Sequence, residues 1–368
     1  MKVCHITSVH KSNDVRIFHK ECISLAENDF EVFLVVPNTE SREQNGVKII
    51  GVEVKESSRI KRFLKTSKMI YKKALEINAD VYHFHDPELI RFGIKLLKKG
   101  KKVIYDVHED VPRQILEKYW IPSFFRRLIA SVFEKYENRA AKKMSYVITA
   151  TPFIRDRFLK YNNNTNDIKN YPILQNYNKV EWSDKKNLIC YIGGIFKIRG
   201  IEEILKSLDN TQMGLSLAGL FSPPSLKKEL ENLKSWKKVI YHGFLGREEI
   251  NNILSEAKIG IVTLHPTVNY IDALPVKLFE YMSAGIPVIA SNFPLWKEII
   301  EGNNCGICVN PLDVNEISEA INYLTENEDI AREMGLNGRK AVEEKYNWAT
   351  EEKKLMIIYK KIGGIPCE

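Results

Sequence analysis

The chain has 368 residues, 44% hydrophobic and 28% charged, with a formal net charge of +8. That length suits two ordinary domains with a core each, and no run approaches the roughly 18 apolar residues that a membrane span needs. The positive balance favours an anionic partner, whether nucleotide, anionic lipid or nucleic acid.

The opening Met1-Lys-Val-Cys-His-Ile-Thr7 reads as a buried first strand, without the apolar core of a signal peptide, so the protein is expected to be cytoplasmic. Apolar runs near 2–7, 31–36, 80–84, 102–106 and 145–149 alternate with helical spacing. That order predicts an α/β fold with a mostly parallel sheet covered on both faces. Ligands of open α/β sheets bind beyond the strand ends, which draws attention to the loop after the first strand, with Asn13, Asp14, Arg16 and His19. Asn13 or Asp14 also suits a helix cap, and Arg16 a solvated helix face.

Two basic, apolar stretches follow, Lys55 to Lys73 and Trp120 to Ile129, the second carrying Phe124, Phe125, Arg126 and Arg127. Such stretches suit an anionic membrane surface, and equally the solvated side of a packed helix. Nucleic acid is not expected, because no reader motif accompanies the charge.

Val81-Tyr-His83-Phe-His85-Asp86-Pro87 closes a strand and opens a helix, with Asp86 placed as a cap. His83 and His85 share one strand face, and His85 lies nearer the strand end. The next strand ends Asp106-Val-His108-Glu109-Asp110. An imidazole there titrates near neutrality and exchanges hydrogen bonds with a hydroxyl or phosphate, while Glu109 and Asp110 suit either a base or a cap.

Between Asn170 and Asp184 the pattern fades into a linker. It restarts with Leu188 to Ile192, then Gly193-Gly194-Ile-Phe-Lys197-Ile-Arg199-Gly200, a strand, tight turn and basic loop of the kind a diphosphate requires. Further strands end at Gly219, Gly243-Phe244 and Thr263. The six cysteines, at 4, 22, 190, 305, 308 and 367, are expected to be reduced; Cys305-Gly-Ile-Cys308 has metal-like spacing but lacks a second pair, which favours a buried strand.

The densest stretch is Asp272-Ala-Leu274-Pro275-Val276-Lys277-Leu-Phe-Glu280 through Gly285-Ile-Pro287-Val288. Pro275 suits a first helical position and Gly285 a helix end, predicting a short helix. Its free N–H groups and dipole make an anion site, to which Lys277 adds a mobile positive charge, with Asp272 and Glu280 as flanking carboxylates.

This acid-x7-acid pattern followed by Gly-x-Pro-Val resembles the nucleotide-sugar motif of the retaining GT-B glycosyltransferases of family 4, with Asp272 in place of the usual Glu. The resemblance, extending to the closing Asn337 to Trp348 segment, implies two Rossmann-like domains facing a central cleft. They would be an acceptor domain at 1–178 joined by a C-terminal helix at about 350–368, and a donor domain at 179–349. It implies that Glu280 binds the donor ribose, that Asp272 binds the transferred sugar and that His108 lies beside the reacting sugar. It gives the diphosphate to Arg199, which stands for the family's Lys; Gly194 replaces the family's Arg, with Lys197 as its substitute. Gly243 and Phe244 would flank the base, and Leu274, Pro275, Val276 and Lys277 would line the donor loop.

Asn13, Arg16, His85 and Glu109 are the acceptor-side candidates. The implied reaction moves a sugar from a nucleotide-diphosphate sugar, most simply UDP-linked, to a saccharide or lipid-linked saccharide in cell-surface polysaccharide synthesis. The enzyme would be cytoplasmic or peripheral on the inner membrane face. No Asp-x-Asp triplet occurs in the chain, so no essential metal or other cofactor is expected. Two alternatives stay open: a GT-B nucleotide-sugar epimerase, and a non-catalytic nucleotide-sugar-binding protein.

Overall fold

A computed structural model describes residues 1–54, 65–118, 121–175, 177 and 180–364. The chain divides into two compact units: Met1–Asn170 with Trp348–Glu368, and Tyr171–Asn347. The first break falls before Tyr171 because Tyr171 and Tyr177 are buried among Phe279, Tyr281 and Met282 of the second unit.

The first unit holds β1 (Lys2–Ile6), β2 (Glu31–Pro37), β3 (Arg42–Gln44), β4 (Val47–Val52), β5 (Val81–Phe84), β6 (Lys102–Val107), β7 (Tyr146–Thr149) and β8 (Thr165–Asp167). They form one sheet in the order β3-β4-β2-β1-β5-β6-β7-β8, parallel except for the β3–β4 hairpin. Because the chain goes outward from β1 through β2 to β4 and returns beside β1 as β5, the strand order switches direction between β1 and β5. Such a switch point leaves a crevice at the carboxyl ends of the strands. The register pairs His5 with His83 there.

The C-terminal helix Trp348–Gly363 completes this unit. Its Trp348, Leu355, Ile358, Tyr359 and Ile362 are buried with Val3, Leu34 and Ile104, and Trp348 Nε1 donates to Ser24 Oγ at 2.8 Å. Leu355, Ile358 and Tyr359 are spaced to share one side of the helix, and that side is buried.

The second unit holds β9 (Lys186–Ile192), β10 (Gly214–Ala218), β11 (Val239–Gly243), β12 (Ala257–Val262), β13 (Val288–Ser291) and β14 (Gly306–Val309), all parallel in the order β11-β10-β9-β12-β13-β14. Here the switch lies between β9 and β12. The helix Val276–Ser283 lies against these two strands, because Gly260 on β12 has no side chain. A Cβ there would stand 2.4 Å from the Tyr281 ring, whose hydroxyl in turn accepts the Ile192 N–H at 3.0 Å.

Cys4, Cys22, Cys190, Cys305 and Cys308 are buried and unbridged. Cys305 and Cys308 flank and occupy β14, the buried strand that the spacing favoured. Cys367, Trp120 and the 55–64 part of the basic stretch lie outside the described residues. Among the described residues no helix is long and apolar enough to cross a membrane.

Candidate active site

At the β9/β12 switch point four sequence-selected residues converge. Gly193 leaves β9 at φ 116°, a conformation that favours glycine, and a Cβ on it would lie 4.0 Å from both Arg199 Nη1 and Lys277 Nζ. The missing side chain therefore leaves a hollow with one cation on each side. Gly194 keeps it clear: a Cβ there would meet the Phe196 ring at 2.7 Å and Arg199 Nη1 at 3.4 Å. Arg199 already occupies the space that a longer side chain at 194 would need, and donates to Gly194 O at 3.2 Å.

Lys277 differs from its sequence expectation. It is not a mobile surface charge: it is buried, has no hydrogen-bond partner, and holds its ammonium 3.7 Å from the centre of the Tyr191 ring. Burial first, then the Arg199 charge, hold its pKa well below the ordinary lysine value, against the opposing pull of Glu280. The helix start adds to the positive field. The helix begins at Val276, with Pro275 one position earlier as a cap that supplies no side-chain acceptor, so first-turn N–H groups are left for another partner. Trp296 Nε1 fixes the approach by donating to Ala273 O at 2.7 Å, while Leu274 packs partly buried against the core.

Glu280 follows one turn on, nearly buried, and accepts from Arg247 Nη1 at 2.5 Å; Arg247 also reaches Gln175 through Nε at 3.2 Å. It is thus not a solvated helix residue. Asp272 ends the short turn Val268–Ile271 just upstream. Gly243 has φ 71°, with open space where a Cβ would stand, so its turn conformation accounts for the glycine. Phe244 beside it is 79% exposed, a ring with little protein contact.

Lys197 does not join this group. The short turn Lys197–Arg199 sends it outward, where it pairs with Glu202 at 3.0 Å. The second cation beside Arg199 is Lys277.

The first unit gathers its polar residues at its own switch point. Asp106 is the hub: it accepts from Arg16 Nε at 3.1 Å and Nη2 at 2.9 Å, and is joined to His85 Nδ1 at 3.2 Å and His108 Nε2 at 2.8 Å. Burial alone would raise its carboxyl, but Arg16 and the two histidines hold it well below the usual range. His108, just past β6, is the partly exposed end of this chain, which fits a group that meets a substrate while Asp106 fixes its ring.

Two acceptor-side expectations are corrected. Arg16 is buried and its guanidinium is spent on Asp106, Ile168 O and Glu21, because a buried cation needs such partners. His85 is 3% exposed and lies behind His108, bonded also to His5. Asn13 and Glu109 are exposed, Glu109 accepting from the Gln114 amide. Asp14 is the cap, receiving the Arg16 and Ile17 N–H groups at 2.9 Å. Asp86 does stand at the cap position before Pro87–Leu89, but its side chain takes Thr7 Oγ1 at 2.8 Å and the Ser8 N–H at 2.6 Å.

Sequence reasoning missed Arg247 and Asp106 as members of these sites. Asp106 was legible as the partner of His108 two residues on, on the same strand face; nothing local marks Arg247.

Comparison with known proteins bears on the family and the fold. The family described as "Glycosyltransferase Family 4" matches residues 16–169, and "Glycosyl transferases group 1" matches residues 174–341. An uncharacterized glycosyltransferase of Methanocaldococcus jannaschii is 24% identical over 80% of this chain and 76% of its own. The alpha-galactosylglucosyldiacylglycerol synthase of Streptococcus pneumoniae is 23% identical over 64% of this chain and 66% of its own. Among solved structures, a sucrose-phosphate synthase from Thermosynechococcus elongatus superposes with a TM-score of 0.77 over 99% of both chains at 16% identity. Anabaena HepE, in complex with UDP and glucose, gives 0.73 over 98% of this chain and all of its own at 12% identity. The chain belongs to the group 1 glycosyltransferases, enzymes of GT-B fold.

Proposed function

We propose that the second unit binds a nucleotide-diphosphate sugar, UDP-linked, and that the enzyme transfers its sugar with retention to a hydroxyl of a saccharide or lipid-linked saccharide. The observation that carries this reading is the pair of cations, Arg199 and Lys277, set over the Gly193 hollow with Lys277 buried and lacking any acceptor. A diphosphate is the acceptor that such an arrangement lacks. As the glycosidic bond breaks, negative charge grows on the leaving diphosphate, and fixed cations plus helix N–H groups stabilise that charge without a metal.

In this reading Glu280 takes the ribose, Asp272 the sugar, the Gly243-Phe244 turn the base, and His108 the reacting end of the donor. The UDP preference is supported by the ligand of Anabaena HepE; a mycobacterial relative is named as GDP-mannose-dependent, so GDP is the competing nucleotide. Incubation with a panel of UDP- and GDP-sugars, followed by detection of the released diphosphate and the product's anomeric configuration, tests it. An inverted product, or release that needs a divalent metal at the diphosphate, contradicts it.

A lipid-linked acceptor is supported by the helix Ser123–Ala141. Phe124, Phe125, Leu128, Ile129 and Val132 form an exposed apolar ridge, with exposed Arg127 and Lys135 beside it. That composition suits an anionic bilayer surface in a cell-surface polysaccharide pathway. Flotation with phosphatidylglycerol vesicles should bring the enzyme up at low salt; no flotation at any salt removes this support.

A further inference from the structure

Behind the His108–Asp106 pair, and joined to it through His85, lies a second group of polar side chains too buried to meet a substrate. His5 on β1, His83 on β5, His85 just past β5 and Glu21 on the wide helical turn Val15–Cys22 are all buried. One nitrogen or oxygen from each lies within 4.8 Å of the others. The sheet register causes this: His5 is opposite His83, and His85 follows on the same face, so the His83 ring lies 4.5 Å from His5, tilted, and 4.6 Å from His85, stacked.

Two of the four have buried polar atoms without hydrogen-bond partners. They are Oε2 of Glu21, whose Oε1 faces Arg16 Nε at 3.1 Å, and Nε2 of His83. Unsatisfied polar atoms at this depth are costly unless something else binds them. Their directions converge: Glu21 Oε2 is 3.9 Å from His5 Nδ1 and 4.0 Å from His83 Nε2, and His5 Nδ1 is 3.0 Å from His85 Nε2.

We propose that His5, His83, His85 and Glu21 form a closed site for a structural transition-metal ion of the zinc class. Three imidazoles and a carboxylate, sealed from water, are a donor set for such an ion and a poor one for magnesium or calcium. Tetrahedral bonds of about 2.1 Å give ligand separations of about 3.4 Å, so binding would draw Glu21 Oε2 in from 3.9 and 4.0 Å and part His5 Nδ1 from His85 Nε2, now 3.0 Å apart.

The outer nitrogens are already oriented as ligating histidines require. Tyr359 Oη contacts His83 Nδ1 at 2.8 Å and His5 Nε2 at 3.2 Å, and Asp106 holds His85 Nδ1. Tyr359 comes from the C-terminal helix, so the ion would tie that helix to β1 and β5. All four residues belong to the first unit, whereas Arg199 and Lys277 belong to the second, and the proposal does not depend on the donor reading.

The test is titration of the EDTA-treated full chain with Co2+ and then Zn2+, without nucleotide, reading visible absorption, bound metal and thermal midpoint. One equivalent should bind, with the d–d absorption of four-coordinate cobalt, no thiolate band, and a raised midpoint. Glu21→Gln and His83→Gln should each lose that equivalent. Tyr359→Phe, which keeps the packing, should retain it with affinity lowered about 10- to 100-fold. No binding by the wild-type chain, a thiolate band, or affinity unchanged in Tyr359→Phe overturns the proposal, even should the Gln variants fail to fold.

Discussion

The Lys277 ammonium faces the Tyr191 ring at 3.7 Å and has no hydrogen-bond acceptor. A cation–π contact of this kind returns about 2 kcal/mol, less than the desolvation of a buried ammonium costs. The position therefore works against folding and is explained by the anion it would receive.

Replacing Lys277 by Met keeps the stem and removes the charge. Stability to chemical denaturation should rise by about 1 kcal/mol, while kcat/KM falls by on the order of 10²- to 10³-fold, as when one transition-state charge partner is lost. Lost activity with unchanged or lower stability would mean that the amine is held by contacts other than these.

Because burial and Arg199 depress the Lys277 pKa, the unfolded chain binds more protons than the folded one between that lowered value and the ordinary 10.5. Wild-type stability should accordingly rise with pH across this window, and the rise should vanish in Lys277→Met. Binding of a nucleotide diphosphate restores the charged form, so calorimetry in buffers of different ionisation enthalpy should register proton uptake above the lowered pKa.

Glu280 is held by Arg247 at 2.5 Å. Glu280→Gln should raise donor KM by about 10- to 100-fold with a smaller effect on kcat, the pattern of lost ground-state binding. A fall in kcat at constant KM would move Glu280 from ribose binding into the chemical step.

His108 is partly exposed at one end of a buried chain through Asp106 to Arg16. His108→Gln should lower kcat by about 10²- to 10⁴-fold with little loss of stability. Asp106→Asn should lower both, the stability by about 3–5 kcal/mol, because the buried Arg16 loses the carboxylate that takes two of its N–H groups. Parallel turnover and denaturation measurements separate the two.

The C-terminal helix carries its own prediction. Trp348 is 5% exposed and bonded to Ser24, so Trp348→Ala should cost about 3–5 kcal/mol. An unchanged denaturation midpoint would mean that the helix adds nothing to the first unit.

Much of this was legible in the sequence because parallel sheets write their strands as apolar runs and their sites at strand ends. Gly193 and His108 lie just past such ends, Arg199 in the turn that follows β9, and Lys277 in the first turn of a helix marked by Pro275. What could not be read was which way each polar side chain turned. Arg16, Asn13 and Asp14 share one short loop, yet one is buried, one exposed and one a cap. The direction depends on Asp106, 90 residues later than Arg16. Lys197 and Arg199 likewise differ only in which side of one turn they occupy, and Glu202 then captures Lys197.

The most direct measurement is isothermal titration of UDP and GDP into the wild-type chain and Lys277→Met. The account expects UDP to bind the wild-type protein one to one, and the variant at least about tenfold more weakly, a difference of about 1.4 kcal/mol or more. Equal affinity for both proteins would contradict it.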